Sequence, residues 1–313
     1  MRILILGAGG IGGYYGGRLV EAGKGDGHGA RAEVTFLVRH ARAEQLAREG
    51  LVIESPCGDF RQGVNTITTC EGVKPPDIIF LTCKAYALDG ALDAISPCVG
   101  PETVILPLLN GVAHFHTIEQ RFPDTVVWGG TAHIAVTLDS NGAIKHLNKL
   151  HMLIFGPRNG EKLEAAEGLL AAFAPTPVDA RLSHNIVQAL WDKLVFLATL
   201  AGGTCLMRAS IGMIVETSHG RELILALLEE CRAIAGAEGF APDADRMARY
   251  QDQLTEVGSS FTSSMLRDIQ RGGPTETEHI IGDMVSRALK HQISASVLRA
   301  AYTHLQIYEA QRS

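Results

Sequence analysis

The chain has 313 residues, of which 46% are hydrophobic and 20% are charged, and its formal net charge is -6. This length suits about two domains, and the composition is typical of a globular, water-soluble protein. A mildly acidic chain without a basic run excludes nucleic acid and a membrane surface from the expected partners. The opening apolar stretch is only a strand long, so we expect no signal peptide and a cytoplasmic location.

The cysteines and the most apolar segment indicate neither a metal site nor a membrane span. The six cysteines form no Cys-x-x-Cys pair and show no spacing with histidine that is typical of metal ligands. We expect them to be small buried groups in a reducing cytoplasm. Residues 194–215 most resemble a membrane span, but Arg208 interrupts them, so we expect a buried helix instead.

The first predicted elements are a strand, a glycine-rich turn and a helix. Residues 2–6 are apolar and rich in β-branched side chains, as in a strand buried on both faces. They are followed by a glycine-rich hexapeptide, Gly7-Ala8-Gly9-Gly10-Ile11-Gly12. In this dinucleotide-binding fingerprint Gly7 makes the tight turn, Gly9 admits a pyrophosphate and Gly12 allows the helix to pack closely on the strand. A helix predicted over residues 14–22 would direct its positive N-terminus at the phosphates, so the sequence predicts a nucleotide site.

Short strands then alternate with helices up to about residue 180. Further buried strands are predicted at residues 34–38, 78–82, 104–109 and 125–128, with helical segments at 88–95 and 118–122. This alternation predicts a doubly wound parallel sheet. A glycine-rich, solvated insertion is expected at residues 24–29. Antiparallel strands that extend the sheet edge are expected at residues 134–138, 143–146 and 150–155.

Long helical stretches replace this alternation in the second half of the chain. The sequence therefore predicts an α/β fold: an N-terminal Rossmann-type doubly wound sheet at residues 1–181, followed by an all-α C-terminal domain at residues 182–313. The amphipathic helices predicted at 221–238 and 285–305 could pack in a monomer core or form a dimer face. Of these two arrangements we favour a homodimer.

The residues at the ends of the predicted strands indicate which dinucleotide binds. NAD-specific sites usually carry Asp or Glu after the second strand, whereas this strand is followed by Arg39, His40 and Arg42. A guanidinium suits a phosphate, so we expect NADPH; the alternative is an exposed arginine at a strand end. Lys84 and Asn110 follow two other strands and are expected at the ligand-binding edge of the sheet, although each alone could be an ordinary loop residue.

Three polar residues in the helical half are further candidates. Lys193 shares a helix face with Leu197 and Ala201, so this lysine must either extend to solvent or serve a pocket. Ser264 could bind a ligand or simply cap a helix. Glu276 opens a predicted helix, where a carboxylate also stabilises the helix dipole. The residues alone leave these alternatives open.

The order and spacing of these motifs resemble the ketopantoate reductases (2-dehydropantoate 2-reductases), NADPH-dependent enzymes of pantothenate and coenzyme A biosynthesis. The matching segments span nearly the whole chain: residues 7–12, Lys84-Ala85, Leu109-Asn110-Gly111, Trp191-Asp192-Lys193-Leu194, Ser263-Ser264-Met265-Leu266-Arg267-Asp268 and Thr275-Glu276. The resemblance implies that Lys193 is the catalytic lysine, that Glu276 is its acidic companion, and that Asn110 and Ser264 bind substrate. It also implies a set of cofactor-binding residues: Gly7, Gly9, Gly10, Ile11, Gly12, Arg39, Lys84 and Asn110.

The resemblance further implies that a 2-oxo acid, bound between the domains, is reduced to a 2-hydroxy acid. Lys193 would stabilise the charge developing on the carbonyl oxygen and then protonate it. The family usually has asparagines at three positions where this chain has Leu197, Ala201 and Ile211. Because amides that could bind a hydroxylated substrate are missing, we expect either a bulkier, more apolar 2-oxo acid or relaxed specificity.

Two other functions are compatible with the same fold: a non-catalytic NADPH-binding sensor, and a related dehydrogenase that acts on β-hydroxy acids. A sensor would not need Lys193, Glu276, Asn110 and Ser264 together. The segment from Ser263 to Asp268 fits the β-hydroxy-acid dehydrogenases less well. Oxidation of NADPH driven by a 2-oxo acid would distinguish these functions.

Overall fold

The computed structural model describes residues 1–23 and 32–312, so the predicted insertion at 24–29 lies outside the described residues. The chain divides into two compact units. Unit 1 comprises Met1–Leu109 and His114–Ile186, and unit 2 comprises Asn110–Ala113 and Val187–Ser313. Each unit has a hydrophobic core of its own.

Unit 1 is built from strands and helices, and unit 2 from helices. In the described part of unit 1 the strands are β1 (Arg2–Leu6), β2 (Glu33–Leu37), β3 (Leu51–Glu54), β4 (Phe60–Gln62), β5 (Asn65–Ile67), β6 (Ile78–Leu81), β7 (Val104–Pro107), β8 (Val126–Val127), β9 (Gly129–Leu138), β10 (Ile144–Gly156) and β11 (Asp179–Leu182). Its helices are α1 (Gly10–Ala22), α2 (His40–Glu49), α3 (Leu88–Ile95), α4 (His114–Arg121) and α5 (Leu163–Phe173). The helices that follow are α6 (Ile186–Met207), α7 (Ile211–Val215), α8 (Gly220–Ala237), α9 (Ala244–Leu254), α10 (Ser264–Gln270), α11 (Asp283–Lys290) and α12 (Ser296–Arg312). A π-helical segment, Glu278–Gly282, leads into α11.

The main sheet of unit 1 has six parallel strands in the order β5-β2-β1-β6-β7-β8. The chain proceeds from β1 outward in one direction and then returns to β6 on the other side. This is the doubly wound arrangement predicted from the sequence, and it is confirmed. Strands β6 and β7 are buried along their whole length, as expected for parallel strands covered on both faces. The carboxyl ends of β1, β2 and β6 lie at one edge of this sheet.

The antiparallel strands after β8 form a second sheet, so the expectation that they extend the main sheet was wrong. β10 pairs with β9 antiparallel and with β3 and β11 in parallel, and β3 pairs with β4. Two of the strands predicted separately belong to the single strand β10, whose register shifts between His146 and His151. The second sheet covers the outer side of α1: a Cβ on Gly13 would lie 2.3 Å from Ile144 Cδ1, and one on Gly17 would lie 2.6 Å from Ile53 Cδ1. The glycines thus allow α1 to pack closely against this sheet.

One long helix predicted in unit 2 is in fact two. Residues 285–305 were expected to form a single helix, but α11 ends at Lys290 and α12 begins at Ser296. Gln292, between them, has φ 55°, a left-handed conformation that a continuous α-helix does not contain. Glu230 of α8 then holds the start of α12, since its carboxylate accepts hydrogen bonds from the backbone N–H groups of Val297 and Leu298.

Among the described residues one helix, α6, is long and apolar enough to span a membrane by length and composition alone. Within its most apolar window 72% of the residues are buried inside the protein. The core helix of a water-soluble protein passes the same test, so this is weak support for a membrane span. The helix ends at Met207, and Arg208 has φ 54°.

Candidate active site

In unit 1 the turn between β1 and α1 is closely packed on one side and open on the other. Gly7 has φ +95°, a conformation that glycine adopts without strain. A Cβ on Gly12 would lie 2.3 Å from Gly7 O and 2.4 Å from Thr82 Oγ1. A Cβ on Gly9 would meet nothing within 4 Å. Helix α1 begins at Gly10, before the predicted start, and therefore includes the last residues of the fingerprint. Its N-terminus and the open turn fit a pyrophosphate.

Two arginines near this turn have different roles. Arg42 is partly buried, and its Nη2 donates a hydrogen bond to the Ala8 carbonyl at 3.0 Å, which holds the glycine-rich turn in place. Burial lowers the pKa of the Arg42 side chain. Arg39 instead precedes α2 and is exposed, two residues after the carboxyl end of β2. An exposed guanidinium at this position fits a phosphate on the adenosine ribose.

Lys84 is partly buried and directly precedes a short 3₁₀ turn, Ala85–Ala87, that follows β6. Because β6 pairs with β1 in parallel, Lys84 lies at the same edge of the main sheet as the glycine-rich turn. Asn110 follows β7 in the chain but belongs with the loop Asn110–Ala113 to unit 2. The predicted cofactor-binding residues are therefore divided: Asn110 is in unit 2, and the others are in unit 1.

In unit 2 the turn of α6 that carries Lys193 is anchored through the residue before it. Asp192 is 4% exposed, and its carboxylate accepts a hydrogen bond from Gln188 at 2.8 Å. Arg246 Nε lies 3.0 Å from the same carboxylate, and the Tyr250 hydroxyl donates to the Asp192 carbonyl at 2.9 Å. The contacts of Arg246 and Tyr250, both on α9, hold this turn of α6 and thereby fix the position of the Lys193 backbone.

Lys193 and Glu276 interact electrostatically within unit 2. Lys193 is partly buried, and burial lowers its pKa to about 8, while the negative charge of Glu276 opposes this shift. Glu276 is 7% exposed. A lysine with this pKa is mostly protonated at neutral pH, yet it releases its proton more readily than an ordinary lysine. The pair can thus supply both a positive charge and a proton.

The segment around Glu276 is fixed by α12 and by its own first helical turn. Glu309 of α12 accepts hydrogen bonds from Thr275 N at 2.8 Å and from Thr275 Oγ1 at 2.6 Å. The hydroxyls of Thr275 and Thr277 are also 2.6 Å apart. The Glu276 carbonyl accepts from Ile280 N at 3.0 Å, so Glu276 directly precedes the helical turn rather than lying within it.

His279, which the sequence reasoning missed, connects this segment to the loop that carries Asn110. Gly111 has φ +85°, and a Cβ there would lie 3.3 Å from His279 Cδ2. His279 also makes a hydrogen bond with the Asn110 backbone. Burial lowers the pKa of His279, and the charge of Glu276 opposes that shift. The available signal was its position three residues after Glu276, because residues with this spacing on the helix predicted from the sequence would share a face.

Ser264 is the exposed first residue of α10. The helix is capped by its neighbour: Ser263 Oγ accepts from Leu266 N at 3.0 Å and is 2.9 Å from Thr204 Oγ1. Thr204 belongs to α6, so this contact ties the start of α10 to the helix that carries Lys193. Since Ser263 is the cap, the Ser264 hydroxyl is not needed for that role.

The three aliphatic residues at expected asparagine positions have different environments. Leu197 is partly buried and Ala201 is 5% exposed, one and two turns after Lys193 on α6. Ile211 begins α7, is fully buried and belongs to the core of unit 2. Leu197 and Ala201 therefore make the face beyond Lys193 apolar. Within the described part of the chain no group of three or more His, Cys, Asp or Glu residues could hold a metal ion.

Comparison with known proteins connects both units to one family. The model of the ketopantoate reductase PanE/ApbA family matches residues 3–160, and the model of its C-terminal part matches residues 185–309. The uncharacterized oxidoreductase YkpB from Bacillus subtilis is 35% identical over 312 residues, which cover 100% of both chains. A 2-dehydropantoate 2-reductase from Mesorhizobium japonicum is 28% identical over 309 residues, which cover 90% of this chain and 89% of the relative.

Solved structures have the same fold over almost the full length. The crystal structure of 2-dehydropantoate 2-reductase from Methylococcus capsulatus superposes with a TM-score of 0.88 at 26% identity, covering 100% of this chain and 98% of the other. A ternary structure of D-mandelate dehydrogenase with NADH and anilino(oxo)acetate has a TM-score of 0.86 at 22% identity, covering 100% and 99%. The latter likeness indicates a shared fold.

Proposed function

Because the chain belongs to the ketopantoate reductase PanE/ApbA family, we propose that it reduces a 2-oxo acid to the 2-hydroxy acid with NADPH. Family membership makes it an oxidoreductase that uses a nicotinamide cofactor. The observation that carries the proposal is the partly buried Lys193, whose pKa is about 8 and which interacts with the buried Glu276. We assign cofactor binding chiefly to unit 1 (predicted as residues 1–181) and catalysis to unit 2 (predicted as residues 182–313).

Lys193 acts on the carbonyl oxygen of the substrate. When bound, the nicotinamide supplies a hydride to the carbonyl carbon. The Lys193 ammonium stabilises the negative charge that develops on the oxygen, an interaction stronger in the transition state than in the ground state. It then donates a proton to that oxygen, and its lowered pKa makes the donation easier. Glu276 raises the pKa of Lys193 and so favours its protonated form, and it would accept a hydrogen bond from the new hydroxyl. Ser264 would bind the substrate carboxylate, and Asn110 would contact the nicotinamide and the substrate.

The choice of NADPH over NADH rests on Arg39. Its exposed guanidinium follows β2, where NAD-specific sites carry an acidic residue. Lys84 adds a second positive charge at the same edge of the sheet. The pyrophosphate binds at the open turn of the fingerprint: Gly7, Gly9, Gly10, Ile11 and Gly12. Since the D-mandelate dehydrogenase of the same fold was solved with NADH, rates with both cofactors are to be compared.

The apolar face beyond Lys193 bears on the substrate. Ketopantoate carries a hydroxyl that needs hydrogen-bond partners, and Leu197 and Ala201 provide none through their side chains. A site built to bind a hydroxyl discriminates strongly for it, whereas an aliphatic site does not. We therefore propose that a bulkier, more apolar 2-oxo acid is reduced at least as well as ketopantoate. Ile211 carries no part of this argument because it is fully buried.

The test is NADPH oxidation, followed by absorbance, with ketopantoate, a branched-chain 2-oxo acid and an aromatic 2-oxo acid. We expect kcat/KM for an apolar acid to equal or exceed that for ketopantoate, and Leu197→Asn to shift the ratio toward ketopantoate by about tenfold. Leu289→Asn is the matched control, since Leu289 is 62% exposed on α11. If kcat/KM of the natural chain were orders of magnitude higher for ketopantoate than for the other acids, the proposal of an apolar substrate would be contradicted, but the proposal of 2-oxo acid reduction would not. If no acid of the panel were reduced although the chain binds NADPH, the proposed enzymatic function would be contradicted and a non-catalytic NADPH-binding sensor would be favoured.

Cytoplasmic location and homodimer formation stay predictions of the sequence. A composition typical of a globular, water-soluble protein supports the first. Sedimentation of the full chain measures the second.

A further inference from the structure

Two buried thiols lie against each other in unit 1, whereas the residues assigned to catalysis belong to unit 2. Cys70 follows β5, and Cys98 ends a short 3₁₀ turn, Ser96–Cys98, after α3. Their Sγ atoms are 3.0 Å apart, and the residues are 1% and 0% exposed. The Cys98 thiol also lies 3.2 Å from the Ile95 carbonyl oxygen, a contact that fixes its orientation.

Two other thiols, those of Cys57 and Cys205, contact oxygen atoms, and their distances are longer. Cys57 Sγ is 4.0 Å from the Lys149 carbonyl, and Cys205 Sγ is 3.7 Å from Ser263 Oγ. Sulfur against sulfur is the arrangement that a two-electron oxidation can convert into a bond.

We propose that Cys70 and Cys98 form an intramolecular disulfide when the protein reacts with a hydroperoxide. This pair is then a modification site of unit 1, independent of the hydride-transfer site. It also departs from the expectation that all six cysteines are small buried groups in a reducing cytoplasm.

The hydrogen bond between the two thiols assigns their roles. In the neutral pair the Cys98 thiol is the donor, both to Cys70 Sγ and to the Ile95 carbonyl. Once Cys98 has lost its proton, the Cys70 thiol can donate to the thiolate, and this hydrogen bond lowers the pKa of Cys98. Because both thiols are buried, the peroxide reaches them only when this part of the fold opens locally. The Cys98 thiolate then attacks one peroxide oxygen and the O–O bond breaks. The departing hydroxide takes up the proton that Cys98 lost and leaves as one water, so Cys98 becomes a sulfenic acid. The Cys70 sulfur then attacks the Cys98 sulfur, the S–O bond breaks, and the hydroxyl leaves with the Cys70 proton as a second water. Two thiols are oxidised by two electrons, and one hydrogen peroxide is reduced to two waters.

The segments on either side of the pair are already held together without the disulfide. Thr103 Oγ1 donates to the Pro76 carbonyl at 2.8 Å, and Val104 N donates to the Asp77 carbonyl at 2.9 Å. A Cβ on Gly100 would lie 2.7 Å from Pro75 Cβ, so these connections into β6 and β7 are closely packed. Cross-linking two such segments changes the native backbone little. Its main effect is to restrict the unfolded chain, which stabilises the fold.

The experiment treats the reduced full-length chain with hydrogen peroxide, alkylates the remaining thiols in denaturant and maps the peptides by mass spectrometry. We expect a Cys70–Cys98 linked peptide and the loss of two alkylatable thiols. The midpoint temperature of thermal unfolding should be about 5–10 °C higher than that of the reduced protein. NADPH oxidation should change less than about twofold, since hydride transfer involves neither thiol.

Variants identify the pair. Cys98→Ser should abolish the linked peptide and the thermal shift, whereas Cys231→Ser, at another fully buried cysteine, should keep both. Six alkylatable thiols after treatment, or Cys98 oxidised to a sulfinic acid with Cys70 still a thiol, would overturn the proposal. The peptide mapping on the natural chain does not depend on the variants. Neither the mapping nor the thermal shift depends on the substrate proposed above; only the comparison of NADPH oxidation rates does.

Discussion

The burial of Lys193 predicts that turnover falls at a lower pH than an ordinary lysine would allow. Its pKa in the folded protein is about 8, against the usual 10.5. If the ammonium is the active form, its fraction falls from about 0.9 at pH 7 to about 0.1 at pH 9. A lysine with the usual pKa would stay about 97% protonated at pH 9. We therefore expect kcat/KM to drop roughly ninefold to tenfold between these two values, and almost not at all without the burial.

The assay is the initial rate of NADPH oxidation at saturating cofactor from about pH 6 to about pH 10, with the 2-oxo acid that turns over fastest. Lys193→Arg keeps a positive charge throughout this range, so whatever activity remains should show no inflection near pH 8. Glu276→Gln removes the negative charge that raises the pKa of Lys193, so the inflection should move to lower pH.

A profile that stays flat to about pH 9.5 would refute this reasoning, because Lys193 would then be either unshifted or not the proton donor. An inflection near pH 8 that persists in Lys193→Arg would assign the titration to another group. Substrate ionisation is not a confounding cause, since the carboxylate of a 2-oxo acid is fully ionised over this range.

The remaining predictions concern the turn, the cofactor and the positioning of Asn110. Gly12→Ala should lower the free energy of unfolding, measured in urea, by about 1–3 kcal/mol because its Cβ would overlap backbone atoms. Gly9→Ala should be as stable as the natural chain, because its Cβ meets nothing, yet it should bind NADPH more weakly in a fluorescence titration. Equal stability of Gly12→Ala, Gly9→Ala and the natural chain would contradict the close packing of the turn. Arg39→Ala should weaken the binding of NADPH by about tenfold or more and the binding of NADH much less. Equal losses of affinity for the two cofactors would contradict recognition of the phosphate by Arg39. His279→Gln keeps a donor for the Asn110 backbone and should retain more kcat/KM than His279→Leu; equal activities would show that the hydrogen bond does not position Asn110.

The main sheet could be predicted from the sequence because its central strands are buried on both faces. Ile78–Leu81 and Val104–Pro107 are unbroken apolar runs, and such runs between turn residues indicate parallel strands. The strands Leu51–Glu54, Phe60–Gln62 and Asn65–Ile67 are short and contain charged or polar residues, so no comparable run marks them. They went unpredicted for that reason.

Long-range packing accounts for the other differences. The sequence pattern of a hairpin does not indicate which sheet the hairpin joins. Here the hairpin belongs to the second sheet, in which Ile144 packs against Gly13 of α1. The boundary between α11 and α12 depends on the left-handed Gln292, for which the residue type gives no signal. The candidate residues Lys193 and Glu276 could be named from the sequence and the family resemblance. The contact of His279 with the Asn110 loop could not, because these residues are distant in the chain.

The central claim is that this chain reduces a 2-oxo acid through Lys193. The most direct measurement compares NADPH oxidation, driven by the best 2-oxo acid of the panel, in the natural chain and in Lys193→Ala, after both are shown to bind NADPH and to unfold cooperatively. We expect a loss of about a hundredfold or more in kcat with an unchanged dissociation constant for NADPH. Turnover by Lys193→Ala at the natural rate, or a natural chain that binds NADPH but reduces no 2-oxo acid, would contradict the account.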